Sequence, residues 1–254
     1  MEIQRRFEFL GIGINATNLE ATTAFLAQYD FSKVGYVSFP DSSVIAAAQE
    51  DRHLQGILNN SLLTLPDGKP SEFYARLKGY KNVSTVSGFW LSKNLFQTSL
   101  THYILGSTEA KLEKIVGMIK REFPAARIIG YGSPPFHEVQ YFKEGNILTD
   151  ELDEINRLQP DLIWVGLSSP KQDFLMGSHV TRLKHGILLG VGGVFDYLAG
   201  DIKKSPEWVK KIGLRWLWRL VVEPTRLGPK YGMTLWIFGK VFLKKIVSSI
   251  RGIL

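Results

Sequence analysis

The chain has no cysteine among its 254 residues, which excludes disulfides and thiolate metal sites and leaves the redox compartment open. It also lacks any run of about 18 uninterrupted apolar residues, the length at which a membrane-spanning helix is expected. Five histidines are present, His53, His102, His137, His179 and His185, but none shows metal-ligand spacing such as His-x-x-x-His. No catalytic metal and no cofactor is therefore expected. The first residues, Met1 to Arg6, are polar and charged, with no apolar segment of a secretory signal behind them, so the expected location is cytoplasmic. Internal repeats and low-complexity linkers are missing too.

What is present suits one large domain, or one domain with a small appendage: 44% of the residues are hydrophobic and 22% charged. The net charge of +7 is unevenly placed. From Asp201 onward, twelve Lys and Arg face three acids, so this tail carries +9 and the preceding 200 residues carry −2. A near-neutral body with a basic tail points to a polyanionic partner, either nucleic acid or an anionic membrane. The tail is also rich in aromatics. Trp208, Trp216 and Trp218 alternate with Lys210, Lys211, Arg215 and Arg219, and Met233–Ile250 has the length of a helix with Leu235, Phe238, Phe242 and Ile246 on one side. Trp and Phe beside lysines suit the plane of a lipid interface. No DNA- or RNA-binding motif accompanies them, so nucleic acid is not expected as a partner. A terminal helix docked on the body or on a second subunit is the plainer alternative.

Short apolar runs alternate with amphipathic segments. Phe7–Ile14, Lys33–Ser38, Ser61–Leu65, His102–Gly106, Ala126–Tyr131, Asp161–Gly166 and Gly186–Gly190 read as strands buried on both faces. Leu19–Tyr29, Glu109–Glu122 and Thr149–Leu158 read as helices; the second places Leu112, Ile115, Ile119 and Phe123 on one face, and the third is expected to be capped by Thr149 and Asp150. This alternation predicts an α/β domain over residues 1–200, with a doubly wound, mostly parallel, Rossmann-like sheet, followed by a helical appendage over 201–254.

In such a sheet, ligands bind beyond the carboxyl ends of the strands. Small and polar residues collect there: Pro66-Asp67-Gly68, Ser107-Thr108, Gly132-Ser133-Pro134, Ser168 through Asp173, and Gly192-Gly193 leading to Phe195-Asp196. Exposed N–H groups and helix N-termini at one crevice suit a diphosphate. Each signal has an ordinary alternative. Pro-Asp-Gly is a common turn. Gln172 can be a solvated residue at a helix start, and Asp196 a helix cap. Gly11-Ile12-Gly13 lacks the third glycine of a dinucleotide fingerprint and reads as a glycine pair in a sheet. Asp150-Glu151-Leu152-Asp153-Glu154 imitates an Asp-x-Asp metal motif, but lies where first-turn acids favour a helix dipole.

Taken in order, these pieces resemble the WecG/TagA/CpsF family, glycosyltransferase family 26. They are Leu65-Pro66-Asp67-Gly68, Leu105-Gly106, Ile129-Gly130, the segment Val165 to Asp173, the segment Gly190 to Gly200, and Lys204-Ser205-Pro206-x-Trp208 with Trp216-x-x-Arg219-Leu220 and Glu223-Pro224-x-Arg226. The resemblance implies an inverting, metal-independent transfer from a UDP-sugar to an undecaprenyl-diphosphate-linked saccharide, at the cytoplasmic face of a bacterial membrane. It carries the catalytic base onto Asp67. It places donor contacts at Gly106, Tyr131, Gln172, Gly192, Gly193 and Asp196, and acceptor diphosphate contacts on Arg219 and Arg226. A homo-oligomer is compatible with it.

The chain departs from that pattern at Ser38-Phe39-Pro40, where the family has Thr-x-Asn, and at Thr85, where it has Arg. Lys204-Ser205-Pro206 and Leu214-Arg215-Trp216 stand for Arg-Ala-Pro and Leu-Glu-Trp. The first two departures fall near the expected sugar pocket and leave the donor open between a hexose and an N-acetylhexosamine. A membrane-docked, catalytically inactive nucleotide-sugar-binding or assembly subunit is the competing expectation.

Overall fold

The computed structural model describes residue 3, residues 5–201, and residues 221, 228, 232–233, 235–237 and 239–240. Arg219, Arg226, Trp208, Trp216 and Trp218 lie outside the described residues, as does most of the expected helix Met233–Ile250.

The first apolar run is not one strand. β1 (Arg6–Phe9) and β2 (Ile12–Asn15) form an antiparallel hairpin. Its two turn residues, Leu10 and Gly11, both have positive φ, 52° and 78°, the backbone of the tight hairpin turns whose twist matches the strands. Leucine is an unusual occupant of such a position, which is why the run reads as continuous in the sequence. Gly11 is therefore a turn residue, and Gly13 lies in β2.

The remaining strands build a six-stranded, wholly parallel sheet: β3 (Gly35–Ser38), β4 (Leu63–Thr64), β5 (Thr101–Leu105), β6 (Arg127–Gly132), β7 (Leu162–Val165) and β8 (Ile187–Gly190), in the order β4-β3-β8-β7-β5-β6. Between and around them run α1 (Leu19–Ala27), α2 (Ser42–Glu50), α3 (Arg52–Asn60), α4 (Lys69–Leu77), α5 (Gly88–Leu95), α6 (Glu109–Glu122), α7 (Val139–Lys143), α8 (Thr149–Leu158), α9 (Lys171–His179) and α10 (Val194–Leu198). The chain is thus α/β and Rossmann-like, as expected.

Period-two alternation sorts the strand side chains into two cores. Tyr36, Tyr103, Ile163, Val165 and Leu188 pack with the hairpin and with α2, α3, α8 and α9; Val37, Ile104, Trp164 and Leu189 pack with α1, α5, α6 and α10. Continuous burial on both faces explains why β3, β7 and β8 read as unbroken apolar runs. The α6 face holds as read, with Leu112, Ile115, Ile119 and Phe123 buried. At α8 the cap differs. The N-cap position is Leu148, with no side-chain cap bond, and Thr149 and Asp150 already belong to the first turn. The Leu148 N–H is instead taken by His179 Nε2 at 3.0 Å.

In the tail, the described positions 232–233, 235–237 and 239–240 are helical. Ile237 is fully buried and joins the hairpin-side core, while Leu235 is 72% and Trp236 40% exposed. Among the described residues, no helix is long and apolar enough to cross a membrane.

Candidate active site

Because the six strands run one way, their carboxyl ends form one rim. With strands about 4.8 Å apart, Asp67 beyond β4 lies about 14 Å along the rim from the end of β7, and about 24 Å from the end of β6. The rim thus gathers Asp67, Gln172, Gly192 and Gly193 toward one end. Gly106 lies further along, and Tyr131 is exposed near the end of the far edge strand.

Asp67 is half-buried and stands in a turn fixed from both sides. Before it, the Leu65 N–H donates to Ser38 O and the Val86 N–H donates to Pro66 O, both at 2.9 Å. After it, Gly68 takes φ +108° as N-cap of α4. That helix is held by Glu72, a buried acid that accepts from the Thr85 N–H (3.0 Å), Thr85 Oγ1 (2.8 Å), Lys69 Nζ (2.9 Å) and Arg76 (2.8 Å). Burial pushes the Glu72 carboxyl up, but the hydrogen bonds from Lys69 and Thr85 outweigh it and leave the group below its ordinary value. The carboxylate of Asp67 therefore rises from an anchored turn, the geometry a positioned base needs.

Gln172 is not a solvated residue at a helix start. It is 3% exposed. Its Nε2 donates to Gly190 O at 2.7 Å and to Ser169 Oγ at 3.0 Å, so both amide protons are used. Its Oε1 is buried without a hydrogen-bond partner. The glycines around it are spatial necessities. A Cβ on Gly190 would lie 3.0 Å from Gln172 Nε2, and one on Gly192, at φ +50°, would lie 3.2 Å from Oε1. Gly106, at φ +109°, lets β5 meet the start of the β7–α9 loop, where a Cβ would touch Leu167 at 3.0 Å. Gly166 is closed over by the Phe195 ring, 2.2 Å from where its Cβ would stand.

Asp196 lies in the first turn of α10, whose N-cap is Gly193, and its carboxylate pairs with Lys111 Nζ at 2.9 Å. Asp201 takes the same ammonium at 2.8 Å, and the two acids together raise the Lys111 pKa. This triad ties α10 to α6. A groove of about 490 Å³ between α5, α6 and α10 is lined by Phe89, Lys93, Met118, Arg121 and Tyr197.

The profile of the glycosyl transferase WecG/TagA/CpsF family matches residues 7–251. The chain belongs to this family. It is 26% identical over 230 residues to the N-acetylglucosaminyldiphosphoundecaprenol N-acetyl-beta-D-mannosaminyltransferase of Bacillus subtilis (strain 168), covering 86% of each chain. It is 24% identical over 201 residues to the enzyme of the same name from Bacillus spizizenii (strain ATCC 23059 / NRRL B-14472 / W23), covering 78% of this chain and 75% of the other.

For a WecG/TagA/CpsF glycosyltransferase, the departures at Ser38 and Thr85 from the family pattern now have a structural setting. Thr85 is bound to Glu72 and so belongs to the support of the Asp67 turn. Ser38 ends β3, is fully buried, and its Oγ has no partner. A further residue escaped the sequence reading as a site candidate. Asp173 is buried, its Oδ2 is unpartnered, and burial pushes its carboxyl up to about 7. The signal available was an acid following Gln172 in the first turn of a helix, a position where surface acids are ordinary. Among the described residues, no group of three or more His, Cys, Asp or Glu is placed to hold a metal ion.

Proposed function

We propose that this glycosyltransferase moves a hexose or N-acetylhexosamine from a UDP-sugar onto a polyprenyl-diphosphate-linked saccharide, with inversion and without a metal ion. The names of the two Bacillus relatives support the lipid-diphosphate acceptor and a sugar of this size. The observation that carries the reading is the shared rim: an anchored aspartate beyond β4, and, three strands away, a buried glutamine with an open acceptor beside glycine turns. In this reading Asp67 takes the proton of the acceptor hydroxyl as its oxygen attacks the anomeric carbon. Gln172, Gly192 and Gly193 hold the donor, with Gly106 and Tyr131 further along the crevice. Backbone N–H groups at the rim stabilise the departing diphosphate, where negative charge accumulates.

Arg219 and Arg226 are assigned to the acceptor diphosphate, since guanidinium forks match phosphate oxygens. The basic tail, with Leu235 and Trp236 outward, brings the chain to an anionic membrane surface. The test is a panel of UDP-sugars with a short-chain polyprenyl-diphosphate saccharide, assayed with and without chelator. Transfer that survives chelation is the expected result. Transfer abolished by chelator removes the metal-independent reading, and donor binding without any transfer favours the inactive assembly subunit.

A further inference from the structure

The groove between α5, α6 and α10 has a lining of two kinds. Apolar surface comes from Phe89 on α5, Met118 on α6 and Leu198 at the end of α10. Charge comes, among the described residues, from three cations, Lys93, Lys114 and Arg121, against one acid, Glu122. Glu122 reaches Lys93 and Arg121 only at 3.9 Å each. Asp201 also acts on Lys114, but its carboxylate is held by Lys111 at 2.8 Å. Lys93 Nζ lies over the Phe89 and Phe123 rings, 5.5 Å from each centroid. Lys114 and Arg121 are the exposed pair.

Along α6, Lys114, Gly117, Met118 and Arg121 stand three or four residues apart and share one face of the helix. Gly117 opens that face. It is exposed, and a Cβ there would meet nothing within 4 Å. Glycine weakens a helix interior relative to alanine, and packing within the chain does not call for it at this point. An occupant lying close against α6 does.

The chemistry of the lining says what that occupant is. Two exposed cations beside an apolar floor suit a molecule with phosphate at one end and hydrocarbon at the other. Free phosphate would leave the apolar half bare. The tail is a poor match for the same place, because it carries +9 from Asp201 onward. Trp90, next to Phe89 on α5, is 50% exposed, with its ring 5.3 Å from that of Phe89. A tryptophan at such a boundary is the side chain of a lipid interface. Gly200, also in the lining, leads directly into Asp201 and the basic, Trp-bearing tail.

We propose that this groove binds an anionic phospholipid of the bilayer, with Lys114 and Arg121 on its phosphate and an acyl chain against Gly117, Met118 and Phe89. It gives the body its own membrane contact beside the tail. The assignment rests on the reading above that the chain works at an anionic membrane surface.

Calorimetry on the full chain with dihexanoylphosphatidylglycerol, a soluble short-chain lipid, tests this. Sedimentation with phosphatidylcholine vesicles, with and without phosphatidylglycerol, accompanies it. The short-chain anionic lipid should bind about tenfold or more tightly than its phosphatidylcholine counterpart, and more tightly than inorganic phosphate. Gly117→Leu fills the groove without changing its charge. It should weaken the short-chain lipid about tenfold and lower binding to anionic vesicles, while the melting temperature holds. Lys114→Gln with Arg121→Gln should weaken both by about fivefold per charge removed. Lys184→Gln, an exposed site before β8, should leave short-chain lipid binding unchanged. If Gly117→Leu melts as the parent does and binds the short-chain lipid equally well, the groove is not a lipid site. Equal binding of phosphatidylcholine or of inorganic phosphate overturns it too. So does a Gly117→Leu chain that loses self-association in light scattering with lipid binding intact, which would make the groove an interface between copies. A parent that binds the short-chain lipid but no vesicle supports the groove and removes the membrane-surface reading, so the two fail separately.

Discussion

Asp67 and Glu72 divide one task between two acids. Glu72 is buried and satisfied by Lys69, Arg76 and Thr85, while Asp67 is half-buried at the rim. Replacing Asp67 with Asn keeps the size and the turn chemistry and removes basicity. Turnover should fall by about 10² to 10⁴, the range associated with losing a general base, while UDP binding and melting temperature hold. Near-parental turnover would return Asp67 to an ordinary Pro-Asp-Gly turn. Glu72→Ala should act differently, because it strands the Thr85 N–H and frees the start of α4. A loss of about 1–3 kcal/mol in urea unfolding is expected, together with reduced turnover as the Asp67 turn loosens. An unchanged unfolding midpoint would mean the Glu72 network is not what holds that turn.

At the scale of elements, the sequence carried the parallel sheet well and the helices around it unevenly. Strands buried on both faces leave long apolar signatures, so β3, β5, β7 and β8 were legible, as was the amphipathic α6. The hairpin was not, because Leu10 fills a turn position that composition assigns to Gly or Asn. The helices α2 and α3 begin at Asp41 and Asp51, each accepting from two backbone N–H groups. α3 does carry an apolar stripe, Leu54, Ile57 and Leu58, all buried, but these two helices follow one another directly and are each nine residues long, so neither repeats its pattern over the 14 residues that make α6 plain. Of the site, Gln172 and the glycines were legible because strand ends are where ligands bind. Ser38 stood out only as a departure from the family pattern and Asp173 only as the end of a strand-end segment, since burial and a missing partner are properties of three dimensions.

The tail permits a test at the same scale. Ile237 faces the core while Leu235 and Trp236 face out, so the two sides can be altered separately. Replacing Leu235 and Trp236 together with Ser should reduce sedimentation with anionic vesicles, more so at raised salt, without lowering the melting temperature. Ile237→Ala should cost about 2–4 kcal/mol of stability. Full vesicle binding by the double variant would remove the outward face from the membrane-docking reading.

For the whole molecule, three buried titrating groups set how stability follows pH. His102 is buried beside Trp164, whose Nε1–H donates to its Nδ1 at 3.2 Å; His179 accepts the Leu148 N–H. Burial lowers both to about 4, against 6.5 when unperturbed. Between those values the unfolded chain binds protons that the folded chain refuses, so each histidine contributes stability that is lost as pH falls from 6.5 toward 4. Asp173 works the other way. Its carboxyl, moved by burial from 3.8 to about 7, keeps a proton in the folded chain that the unfolded chain releases, so stability is lost as pH rises across that window. Below pH 6.5 the two histidines outweigh the one aspartate, and stability climbs with pH; above it only the aspartate acts, and stability declines to about pH 7 and levels off. A maximum near pH 6.5 follows, with each group worth on the order of 2–4 kcal/mol. Urea unfolding at pH 5, 6.5 and 8 should show it. Asp173→Asn should raise stability at pH 8 and do little at pH 4, because only at the higher pH does the folded chain carry the buried charge. Equal stability of parent and Asp173→Asn at pH 8 would show that the carboxylate is not confined as the fold places it.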